Sequence, residues 1–212
     1  MTLKPFDPKQ AVDELLREKS LLSIWLASLR IRRSRSNRWI RWGSFAGVST
    51  YVFALPHDAA ALVETTRSMA TLWLPTMLSL LGFLLAGLTF FVSSERLAML
   101  KTMARFQNTD TGLSVLKENL FAFVRPLVEL LLISVSLFVA LVIAAPGSWQ
   151  VTLVKSDASG TAAFYVSRCG FVAVAFSVVL GFVAVKSAIR NVYHIVMTGL
   201  RWELESEADA EQ

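Results

Sequence analysis

The chain has 212 residues, 54% of them hydrophobic and 17% charged, with a formal charge of +5. A mean hydropathy of +0.53 excludes an ordinary soluble domain, whose helices need polar outer faces, and points to the membrane-embedded class. One cysteine, Cys169, excludes an intrachain disulfide framework and leaves no pair for a zinc site, and the two histidines, His57 and His194, lie far apart.

Residues 1–37 read as a cytoplasmic arm. They carry charges throughout and no apolar run before a small-residue cleavage site, so no cleaved leader is expected. Asp7 and Pro8 suit an N-cap and first helical residue. Val12, Leu15, Leu16, Leu22, Trp25, Leu26 and Leu29 then recur at helical spacing, while Lys9, Asp13, Glu14, Arg17 and Glu18 fall mostly off that stripe. This pattern predicts an amphipathic helix on the membrane surface. It runs into LRIRRSRSNRWIRW, where Arg30, Arg32, Arg33, Arg35, Arg38 and Arg41 crowd together. Six arginines could neutralise nucleic-acid phosphates. Direct attachment to a span and the interleaved Trp39 and Trp42 favour anionic lipid headgroups instead, at about 1 kcal/mol per basic residue.

The membrane domain, 38–200, is predicted to hold four spans at about 39–55, 69–92, 121–145 and 163–185. The hydrocarbon layer needs roughly 20 apolar residues, and backbone in lipid must bond internally, which makes each span helical. The first is short, stops before Pro56, and is rich in small residues. Residues 93–120 read as a cytoplasmic helical hairpin broken at NTDTG (108–112). The loops 56–68 and 146–162 carry no motif. The fourth span runs on past residue 185, and the acidic tail 201–212 is expected to be disordered.

Basic residues set the topology. Ten of the 21 lie in the first 41 residues, four between 93 and 120, and three after 185. Arg67, Lys155 and Arg168 fall on the other side. Both termini are therefore expected in the cytoplasm. The predicted fold is an all-α, four-span bundle with an amphipathic arm and cytoplasmic helical extensions.

Arg125 and Glu129 stand four residues apart at the start of the third span, within reach of an ion pair. The pair either marks the interfacial end of that span or leaves Glu129 as an intramembrane carboxylate facing an aqueous path. Small residues recur at four-residue spacing: Gly43 and Gly47; Gly82 and Ala86; Ser136, Ala140 and Ala144; Ala173, Ser177 and Gly181. Such spacing lets helix backbones approach closely and predicts a tight bundle and a cyclic homo-oligomer. Arg168, near the outer end of the fourth span, is expected to snorkel outward, and Cys169 to serve in packing. Lys186, Arg190 and His194 form a basic stripe that either docks a partner or is a solvated face. No metal-ligand spacing, phosphate loop or nucleophile with a base occurs. The expectation is neither cofactor nor metal, and no enzyme.

The run LLGFLLAGLTFFVSSERLAMLKTM (80–103) passes from a glycine-containing span through a short charged turn into an amphipathic helix. In hydropathy and layout, over about a quarter of the chain, it resembles small multi-pass proteins of bacterial anti-phage defence systems, of retron-effector or Kiwa-membrane-subunit type. The resemblance carries over no catalytic or ligand position. It implies a bacterial inner-membrane protein that works beside a soluble cytoplasmic partner, as a sensing anchor or a membrane-damaging effector.

Overall fold

The computed structural model describes residues 3–5, 20–29, 35–54, 58–94, 97–109, 111–156 and 160–210. In chain order these form β1 (Leu3–Pro5), α1 (Leu21–Ser28), α2 (Arg35–Ala54), α3 (Ala59–Ser94), α4 (Leu97–Arg105), β2 (Phe106–Asn108), α5 (Val115–Ile143), α6 (Trp149–Ser156) and α7 (Thr161–Ala210). The protein is thus mostly helical. Among the described residues three helical stretches are long and apolar enough to cross a membrane: Ala59–Phe90, Val115–Ile143 and Thr161–His194. Helix α2, which holds the first predicted span, has 20 residues but is not among them.

Local chemistry sets the helix boundaries. Ser20 and Ser23 form a reciprocal capping box that starts α1. Both carboxylate oxygens of Asp58 accept from the backbone of α3's first turn, at Ala60 and Ala61. With that cap and the Ala-rich stretch behind it, α3 begins ten residues before the predicted span, so most of the expected loop 56–68 is helical. Ser114 caps α5 through the Lys117 amide, and Ser148 caps α6 through that of Val151, which places a helix inside the predicted loop 146–162. The tail expected to be disordered is helical through Ala210; its Glu, Ala and Leu residues are good helix formers.

The chain divides into two compact units. One comprises Met1–Arg32, Leu84–Val128 and Val185–Gln212; the other comprises Arg33–Phe83 and Glu129–Ala184. We call them the arm unit and the bundle unit.

In the arm unit β1 pairs antiparallel with β2, setting Leu3 against Asn108 and Pro5 against Phe106. This ribbon departs from the all-α expectation, because three-residue strands show no readable alternation. A tight loop follows it. Gly112 and Leu113 bond back to the Asn108 main chain, and Gly112 takes φ +69°, a conformation that suits glycine. The Asn108 side chain donates to the Glu118 carboxylate at 2.9 Å. Met103, Leu113, Phe121 and Phe123 are buried in this unit.

The bundle unit gathers α2 with parts of α3, α5 and α7. Val52, Leu62 and Val172 form one buried cluster, with Val48 and Phe171 against it. Met77, Leu130, Leu137 and Val174 are buried as well. On α5 the residues Leu131, Leu132, Val135, Phe138, Val139 and Val142 are exposed, while Ser134 is buried and bonds the Leu130 carbonyl. Six large apolar side chains exposed along one helix depart from the soluble pattern. That arrangement suits a helix whose outer face meets lipid.

Candidate functional site

Charged groups inside an apolar bundle are the natural places to look for function, since each must be matched by a partner. The first is Glu129. Its carboxylate accepts from the Arg41 guanidinium at 2.7 Å, with side-chain exposures of 15% and 19%. Arg41 therefore leaves the expected lipid-facing cluster and becomes an interior cation. Its Nε is buried without a hydrogen-bond partner among the described residues. The bond joins residues 88 apart, so no i,i+4 spacing announced it. Arg125, the expected partner of Glu129, donates to the Ser28 carbonyl at 3.3 Å within the arm unit. That carbonyl ends α1, where a cation also complements the helix dipole.

The second is Arg168. It does not snorkel outward: it is 3% exposed, and its Nε donates to the Val52 carbonyl at 3.2 Å. Val52 lies in the last turn of α2, whose carbonyls lack intrahelical donors. The same guanidinium sits 3.6 Å from the Phe164 ring centroid, a cation–π contact. Its neighbour Cys169 is exposed rather than packed inside.

Of the remaining cluster, Arg38 is exposed, as are Trp39 and Trp42. Arg30, Arg32 and Arg33, the side chain of Arg35, and the predicted arm helix before Ser20 lie outside the described residues.

The small-residue positions separate into two kinds. A Cβ on Gly181 would fall 2.5 Å from Met77 Cε, so the glycine makes room for a buried methionine; on Gly43, Gly47 or Gly82 it would meet nothing within 4 Å. Ser177 lies 3.5 Å from Ser136 across the bundle. Ala86 and Ala173 are exposed.

Lys186, Arg190 and His194 are all exposed on α7. Beside them Ile189, Val192, Tyr193, Val196 and Met197 are exposed too. Their 3–4 spacing makes one apolar stripe along a basic edge. Among the described residues no cluster of three or more His, Cys, Asp or Glu could hold a metal ion. A cavity of about 230 Å³ lies in the bundle unit, lined by Ala60, Val63, Ala144, Pro146 and Val151 with the charged pair Glu64 and Arg67. No family model, curated protein or solved structure matches the chain.

Proposed function

We propose that the protein is an oligomeric, multi-pass subunit of the bacterial inner membrane that anchors or regulates a soluble cytoplasmic partner in an anti-phage defence system. The observation that carries this reading is the exposed apolar stripe and basic edge of α7. From Thr161 to Met197 a helix rises about 54 Å at 1.5 Å per residue, whereas a bilayer with its headgroups is about 40–45 Å thick. A helix of that length exceeds an upright crossing, and on this reading its far end at Val196 and Met197 stands beyond the lipid, which suits a protein contact.

On this reading α2 is the fourth span and both termini are cytoplasmic. Its 20 residues give about 30 Å of helix, enough for the hydrocarbon layer. Its unfavourable groups are met by protein: Arg41 by Glu129, and the Val52 carbonyl by Arg168. The open faces at Gly43, Gly47 and Gly82 suit close packing between copies. Arg38, Trp39 and Trp42 suit anionic headgroups.

The test is alanine at Lys186, Arg190 and His194 together, followed by mild-detergent purification from the native host. Loss of a stoichiometric soluble protein, with membrane insertion intact, is the expected result. Unchanged recovery of that protein refutes the assignment of this face.

A second reading, a pore or depolarising effector built around Glu129, draws on the placement of that carboxylate inside the bundle. The Arg41 bond offsets its charge and ranks this reading second. It requires membrane potential to collapse on induction and Glu129→Gln to relieve the collapse. A normal potential in fully induced cells, with the phage trigger present, eliminates it.

A further inference from the structure

Pro126 lies inside α5. A proline has no N–H, so the carbonyl four residues earlier, that of Ala122, loses its intrahelical donor. In an apolar setting such a carbonyl must find another. It does so on α7: Asn191 Nδ2 donates to the Ala122 oxygen at 2.6 Å within the arm unit. Ala188, one turn before Asn191, is 1% exposed. Ala188 and Asn191 thus mark the inward face of α7, and the small alanine lets the two helices approach closely enough for a short amide side chain to reach a backbone oxygen.

We propose that Asn191 is a latch: it supplies the donor that Pro126 removes, and the Ala122–Pro126 turn is a hinge whose closed state depends on that bond. With the bond made, α5 continues through the proline with the Ala122 carbonyl satisfied. With it broken, the Ala122 oxygen is orphaned and the turn opens or bends, re-aiming the stretch that precedes it. The arrangement has a directional consequence. Asn191 sits between Arg190 and Val192, so the same two turns of α7 carry the latch on the inward side and the exposed basic and apolar residues on the other. A small rotation of α7 would move both. The hinge goes beyond the proposed docking function and stands on its own geometry, whether or not that face binds a partner.

Hydrogen–deuterium exchange on the full chain in detergent micelles, followed in peptides covering 115–128, tests this. Asn191→Leu keeps the bulk and removes the donor; amide exchange there is expected to speed up about fivefold, the effect of losing one typical hydrogen bond. Pro126→Ala restores an N–H to the turn, so in that background Asn191→Leu should change exchange by less than about twofold. Where the leucine variant fails to fold, Asn191→Asp replaces it in both backgrounds, since an ionised carboxylate accepts but cannot donate. Unchanged exchange in the proline-containing chain overturns the proposal. Equal acceleration with and without the proline also overturns it, because it would make Asn191 a packing residue with no link to Pro126.

Discussion

Two arginines in the bundle unit solve the same problem differently. Arg41 meets a full opposite charge on Glu129 and keeps some exposure. Arg168 is buried and meets a main-chain carbonyl and an aromatic face. The first arrangement neutralises charge but makes each partner dependent on the other. The second sets the guanidinium against a carbonyl dipole and a ring quadrupole and closes the end of α2. An arginine within an apolar helix therefore need not mark a conduction path; at Arg168 it completes the hydrogen bonding of another helix.

The contrast can be broken most severely at the ion pair. Glu129→Leu should strand Arg41 and cost about 3 kcal/mol, read from unfolding in mixed micelles. Adding Arg41→Leu should recover most of that loss, and a double variant no better than the single would show that the two charges act separately. At the other end, Arg168→Met should cost about 2 kcal/mol, as expected for a charged donor lost from a buried acceptor. Phe164→Leu should cost about 1 kcal/mol, and a silent Phe164 change would show that the ring does little to hold Arg168.

Smaller effects separate the two kinds of glycine. Gly181→Ala should cost about 1–2 kcal/mol as Met77 is displaced. Gly43→Ala should change monomer stability by less than about 0.5 kcal/mol, yet reduce the oligomer mass measured in detergent if copies pack there. Ser136→Ala should cost about 0.6 kcal/mol, the average for a hydrogen bond between membrane helices.

The long helices were legible because apolar runs of sufficient length have few alternative structures. Their starts were less so. Asp58 extended α3 backward through a stretch expected to be a loop, where Glu64 and Arg67 form an i,i+3 pair at 3.8 Å on the helix. The polar partnerships were hidden for a different reason. Arg41 with Glu129, Arg168 with Val52 and Asn191 with Ala122 join residues 88, 116 and 69 apart, and no local spacing encodes such distances. One signal was present. A proline in a helix interior leaves the carbonyl four residues earlier without its donor, so Pro126 called for a donor from elsewhere, and the Asn191 amide on α7 supplies it.

The β1–β2 ribbon bears on how the chain is made. Leu3 leaves the ribosome about 105 residues ahead of its strand partner Asn108. At about 5–20 residues per second, the N-terminal strand waits roughly 5–20 s before it can pair, by which time the segment read as the second span has already been synthesised. β1 is thus held unpaired while α1 to α4 are made, and a bulky group fused beside it would compete with closure of the ribbon.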